Sequence, residues 1–150
     1  MLLPALLLAA QASNVPELPK DIPPAATKYS VTMMGLTAGQ HAVWSEGDRL
    51  RAFFQYNDRG RGPKTYSTMS LKGGVPVSEQ IEGNDYMKDA VSETFSTKGG
   101  AASWKSKAEQ GSRKLQAAAF YVAMYGPPVD FALLARAALD RGGRIALLPD

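Results

Sequence analysis

Apolar and polar residues alternate with a period of two over much of the chain, the pattern of strands with one buried face. Tyr29, Val31 and Met33 alternate with Ser30, Thr32 and Met34. In residues 49–57, Leu50, Ala52, Phe54 and Tyr56 fall on one side and Arg49, Arg51, Phe53 and Gln55 on the other. Further strands are predicted at 41–45, 66–71, 75–82, 90–97 and 102–109, with residues 36–40 as a turn or bulge. Glu46-Gly47-Asp48, Lys72-Gly73-Gly74 and Lys98-Gly99-Gly100 read as hairpin turns. Such signals recur every ~10–15 residues, which favours antiparallel hairpins over crossover helices.

The last third changes character. Residues 113–125 suit either a buried helix or a strand, and Gly126-Pro127-Pro128 ends that segment. Residues 129–140 predict a helix: Pro128 suits its start, Phe131, Leu134 and Leu139 would form its apolar face, and Gly142 suits a left-handed cap. An apolar strand starts at Ile145. The expected fold is mainly β (α+β), a curved antiparallel β-meander or half-barrel with one C-terminal helix.

Two N-terminal segments stand apart. Residues 2–10 are apolar and Ala10-Gln11-Ala12 has the small-x-small spacing of a signal-peptidase site, so residues 1–12 read as a signal peptide, with no basic residue ahead of the apolar run. The run is far shorter than the ~20 apolar residues a membrane-spanning helix needs, so a periplasmic or secreted location and no membrane span are expected. Residues 13–27 carry Pro16, Pro19, Pro23 and Pro24 and read as an extended linker. The β-rich domain is expected over 28–150, continuing past Asp150.

Composition narrows the chemistry. Seventeen basic and 14 acidic residues give a formal charge of +3 and are interspersed, which argues against nucleic-acid binding. There is no cysteine and a single histidine, His41. A hydrolytic metal centre draws on several nitrogen, sulfur or carboxylate ligands with histidine prominent, so no catalytic residue, metal ligand or cofactor is assigned in this segment. Gly60-Arg61-Gly62-Pro63-Lys64-Thr65 superficially resembles a phosphate loop, but Pro63 breaks the pattern and removes an amide donor. No Gly-x-Ser-x-Gly, Ser-x-x-Lys or His-x-His motif occurs.

The candidate binding or interface residues lie in two polar turns. Asn57, Asp58, Arg59 and Arg61 follow the strand at 49–57, and arginine's planar fork suits an anion or a partner's carboxylate. Asn84, Asp85, Tyr86 and Lys88 form the second turn, able to face the first. Glu79 and Glu93 sit in apolar phase between Val77 and Ile81 and between Val91 and Phe95. Paired and desolvated they would suit acid–base work; the favoured expectation is a solvated face, or a lysine or arginine partner for each. Trp44, Phe54, Tyr56, Phe95 and Trp104 are expected in the core, or around a ligand cleft.

The run Phe53-Phe54-Gln55-Tyr56-Asn57-Asp58-Arg59-Gly60-Arg61-Gly62-Pro63, together with Gly83-Asn84-Asp85-Tyr86-Met87-Lys88, Trp104, and Gly126-Pro127-Pro128 ahead of Leu133-Leu134-Ala135-Arg136, resembles the N-terminal region of secreted bacterial metal-dependent amidohydrolase-like proteins. The resemblance spans residues 29–149. It implies a non-catalytic module ahead of a metal-dependent hydrolase barrel, with that downstream domain as its partner. The family's metal ligands have no counterpart in these residues. The alternative is a stand-alone periplasmic half-barrel binding a small hydrophobic or anionic ligand.

Overall fold

A computed structural model describes residues 15–149, so the signal-peptide expectation over 1–12 lies outside the described residues. Eight strands form one antiparallel sheet in chain order: β1 (Thr27–Met33), β2 (Leu36–Glu46), β3 (Arg49–Tyr56), β4 (Lys64–Lys72), β5 (Val75–Asn84), β6 (Ala90–Lys98), β7 (Ala101–Lys105) and β8 (Gln110–Lys114). A short strand β9 (Ala119–Tyr121), helix α1 (Val129–Leu139) and strand β10 (Ala146–Leu148) follow, with β10 parallel to β9. The fold is the expected β-meander with one C-terminal helix, and the sheet does not close into a barrel.

Register assigns each side chain to a face, because directly opposed residues project the same way. Phe53 opposes Ala42 on β2 and Tyr66 on β4. On this first face Phe53 and Ala42 are fully buried, and Ile22 and Ala26 close over them with Leu18, Trp44 and Tyr66 at the margin. Gln55 donates to the carbonyls of Pro16 (3.2 Å) and Glu17 (3.0 Å), and Gln40 donates to that of Pro16 (2.9 Å). The prolines at 16–24 therefore mark a packed cover and not a free linker. Proline carries no amide proton, so such a segment brings few donors onto the sheet that would need partners.

Further along the same face the cover ends. Ser70, Ser78, Ser96, Ser103 and Ser112 oppose one another in turn across β4 to β8 as a solvated row.

The opposite face is covered at its other half. Phe95 on β6 stacks on Tyr121 of β9 at 4.4 Å between ring centroids, and Ala102, Ala119 and Leu148 complete that cluster. Phe120 packs with Val75 of β5 and Ala137 of α1. Helix α1 turns Asp130, Leu133, Leu134 and Ala137 inward, an i, i+3, i+4, i+7 spacing, while Phe131 and Leu139 are largely exposed at 70% and 73%. The apolar face expected from Phe131, Leu134 and Leu139 is thus rotated, because an aspartate occupies the inward position of the first turn.

Residues 113–125 form neither one helix nor one strand: β8 ends at Lys114, and β9 has three residues. The strand expected over 102–109 is cut at Lys105 by a turn in which the Ser106 hydroxyl accepts from the amides of Ala108 and Glu109, both at 3.2 Å.

Candidate functional site

The turns at 57–63 and 84–90 come together at one end of the sheet because β3, β4, β5 and β6 are consecutive neighbours. The Tyr86 hydroxyl donates to Asp58 Oδ2 at 2.7 Å, and the Gly62 amide donates to the Tyr86 carbonyl at 3.0 Å. Lys88 Nζ (2.7 Å) and Asn84 Nδ2 (3.4 Å) both donate to the Gly62 carbonyl. Asn57 Oδ1 accepts from the Gly60 amide at 2.7 Å, and Asp85 Oδ1 accepts from the amides of Met87 (2.9 Å) and Asp89 (3.0 Å). Arg59 pairs with Asp58 at 3.0 Å, and the Arg61 guanidinium lies 5.5 Å from the centre of the Tyr86 ring. All eight sequence-selected residues therefore belong to one double loop. Gly62 is its pivot: φ is +124°, and a Cβ there would collide with the Tyr56 carbonyl oxygen.

The electrostatics of the loop follow from these contacts. The Tyr86 hydroxyl, and then Arg59, hold the Asp58 carboxyl below its usual range. The same hydrogen bond raises the Tyr86 phenol. Arg59 projects into solvent, 83% exposed, from a backbone at φ 51°. Its charge is already partnered by the neighbouring carboxylate, so a second anion would have to share it.

Beside the double loop lies an open groove of about 390 Å³, bounded by Phe54, Tyr56, Tyr86, Met87, Met124 and Tyr125. Its floor continues as an aromatic ladder across the face: Tyr29 stacks on His41 (5.7 Å), His41 meets Phe54 edge-on (6.0 Å), and Phe54 meets Tyr56 (5.7 Å). His41 Nδ1 donates to the Phe53 carbonyl at 2.9 Å, and burial pulls the imidazole below its ordinary value. That places the proton on Nδ1 and leaves Nε2 buried without a partner. No nucleophile or carboxylate is bonded to the ring, so His41 acts as a packing residue of the ladder.

Glu79 and Glu93 do share one face, on adjacent strands where Ile81 opposes Glu93 and Phe95 opposes Glu79. The expectation of a solvated face or of basic partners is corrected: both are buried, at 3% and 2% exposure, and among the described residues neither pairs with a lysine or arginine. Glu93 accepts from the Tyr121 hydroxyl (2.6 Å) and from the amides of Met124 and Tyr125 (both 2.9 Å). Glu79 accepts only from the Ser67 hydroxyl at 3.0 Å. Asp130, the inward residue of α1, joins them; Gly126 leaves room for its carboxylate where a Cβ would collide.

Burial, then the nearby Asp130 charge, push the Glu79 carboxyl up to about 9. Burial, then the Glu93 charge, push Asp130 up to about 7. Burial and the bond to Glu93 raise the Tyr121 phenol. Glu79 Oε2 and both Asp130 oxygens have no hydrogen-bond partner, so burial disfavours the ionised form of both carboxyls. Among the described residues, no group of three or more histidine, cysteine, aspartate or glutamate side chains is arranged to hold a metal.

Sequence reasoning missed Asp130 and the groove wall at Met124 and Tyr125. The spacing of Asp130 with Leu133, Leu134 and Ala137 carried the first; nothing local carried the second, because the amides of Met124 and Tyr125 are set by Glu93, some thirty residues upstream. No helix of the described residues is long and apolar enough to cross a membrane. Comparison with protein-family models, with curated proteins and with solved structures gives no match to this chain.

Proposed function

We propose that the chain is a non-catalytic, β-rich N-terminal module of an exported amidohydrolase-like protein, and that the double loop with its aromatic groove is the face it presents to the hydrolase domain. The observation that carries this reading is the construction of the double loop. Its polar groups are spent on one another, which fixes Tyr86 and Met87 at the groove, while Glu93 fixes Met124 and Tyr125 on the other wall. A rigid, aromatic- and methionine-rich surface with a polar rim has the make-up of a protein interface. None of Glu79, Glu93 and Asp130 lines the aromatic groove, and Glu93 serves it by holding the Met124 and Tyr125 amides, so these carboxyls are read as supports of the fold. The alternative half-barrel has less support: the chain's own segments occupy half of each face, and the groove at Phe54 and Tyr56 is open to solvent.

Reading the coding sequence beyond Asp150 tests the family: a His-x-His pair followed by spaced histidines and an aspartate is expected, and an immediate stop codon would favour the stand-alone reading. The interface is tested by separate expression of the module and the hydrolase domain. Arg59→Ala with Arg61→Ala should weaken their association while leaving the module's melting within ~0.5 kcal/mol of wild type. Gly62→Val should lower stability by several times that, roughly 2–4 kcal/mol, through its backbone clash and left-handed φ. If the arginine variant melts as low as the glycine variant, the arginines are structural and the interface reading fails.

A further inference from the structure

At the end of the sheet opposite the double loop, the β4–β5 and β6–β7 turns and the link from β8 to β9 enclose a second open cleft, of about 500 Å³. The nine residues of β4 separate the two ends by roughly 25–30 Å. We infer that this cleft is a docking site for an extended acidic polypeptide segment, a partner distinct from whatever covers the aromatic groove.

Charge is the first argument. Lys72, Lys98 and Arg141 line the cleft and no aspartate or glutamate does. Arg141 is pre-positioned: Nη1 donates to the Ala137 carbonyl at 2.9 Å and Nη2 to the Gly73 carbonyl at 2.6 Å. Both acceptors are neutral, so the guanidinium is oriented without its charge being cancelled. Lys72 and Lys98 are exposed and, among the described residues, form no ion pair. Clustered like charges without counter-charges favour an anionic partner and speed its encounter.

Shape selects a peptide among anions. The floor is small and apolar, from Val75 and Pro76 to Ala119, and it is shallow, so a fatty chain would keep one side in water. Residues 116–118 lie between β8 and β9 outside every strand ladder, and the Gly99-Gly100 turn carries no side chain beyond hydrogen. The Gly100 carbonyl accepts from the Leu115 amide at 2.8 Å, and the sparse side chains of both walls leave room for an extended segment to lie along the cleft. A segment with small apolar residues facing the floor and carboxylates reaching the two lysines and Arg141 matches both features.

The test is an amide-resolved NMR titration of the 150-residue chain with a synthetic peptide alternating glutamate with alanine and valine. Shifts are expected at Gly73, Gly74, Gly99, Gly100, Ala117 and Ala118, saturating at about 1 mM or below and weakening as salt is raised. Lys72→Glu with Lys98→Glu, both at exposed strand ends, should keep the wild-type spectrum elsewhere and weaken binding at least about tenfold. Absence of shifts, shifts outside the cleft, or shifts that survive the charge reversal overturn the site. Equal response to inorganic phosphate or to decanoate at the same concentration overturns the assignment to a peptide. Because the probe does not touch the double loop, the result is independent of the hydrolase-domain reading.

Discussion

Residues 15–26 and residues 119–148 each cover part of one face of the same sheet, and they treat the polar groups they bury in different ways. Under the N-terminal cover the buried polar contacts are neutral: the amides of Gln40 and Gln55 donate to main-chain carbonyls of Pro16 and Glu17, and a carboxylate contact, from the Tyr66 hydroxyl to Asp21 at 3.3 Å, lies at the exposed margin. Under the C-terminal cover they are carboxyls. Glu93 is satisfied by three donors, while Glu79 and Asp130 keep unpartnered oxygens and are held protonated. A neutral hydrogen bond costs the same to bury at any pH, whereas a buried carboxyl must exclude its own charge and becomes more costly as protons grow scarce. One sheet therefore carries a cover that ignores pH and a cover that responds to it.

The sharpest break of the N-terminal side is Phe53→Ala. Phe53 is fully buried between Ile22, Ala26 and Ala42, and its ring lies 4.9 Å from that of Tyr66. The chain should lose about 3–5 kcal/mol, the range for emptying a buried phenylalanine site. Urea unfolding checks the size, and proteolysis near residues 15–26 checks the place. A loss under about 1 kcal/mol would mean that the cover stays in place without the ring it closes over.

On the C-terminal side the expected effect is a slope. Asp130 at about 7 and Glu79 at about 9 both lie above the ordinary carboxyl range, so over that interval the folded chain binds more protons than the unfolded one. The stability they support is complete below about pH 4 and declines as pH rises, first through 7 and then toward 9. The slope is ~1.4 kcal/mol per pH unit for each carboxyl that is protonated only in the fold. Asp58 works in the opposite sense: its carboxyl sits below the usual range, so its smaller, solvent-screened contribution is lost on acidification. Glu79→Gln should flatten the decline above pH 7 and Asp130→Asn the decline below it. Equal urea midpoints for the wild type at about pH 5 and pH 9 would remove the basis of the contrast.

The contrast also marks what the sequence made legible. The hairpins could be read because alternation and paired glycines are local signals, as at Lys72-Gly73-Gly74 and Lys98-Gly99-Gly100. The turn at 106–109 has no glycine and is closed by a serine hydroxyl, which hid the start of β8. The double loop was legible as two polar turns because a meander brings alternate loops to the same end of the sheet. Both covers escaped. Prolines at 16–24 carry the local signature of a linker, and only Ile22 and Ala26 against Phe53 reveal a cover. Asp130 follows the inward spacing of α1 yet carries a carboxyl that propensity places outside; the burial and the Glu93 charge that favour its neutral form come from elements distant in sequence.

The smallest effect tests the neutrality of the N-terminal cover directly. Gln55 is 4% exposed, and its side-chain amide ties the cover to β3 at the Pro16 and Glu17 carbonyls. In Gln55→Ala the Pro16 carbonyl keeps Gln40 as a donor, while the Glu17 carbonyl loses the bond that Gln55 supplies. One neutral bond and some packing are lost, so the chain should be destabilised by about 1–2 kcal/mol. Because no ionisable group takes part, that loss should be the same at every pH where the chain folds, even as the wild type itself weakens toward alkaline pH. Urea titrations of both proteins at about pH 5 and about pH 8 measure this as two parallel curves. If the gap widened with pH, the amide bonds would be coupled to the carboxyls on the other face, and the two covers would form one proton-linked unit.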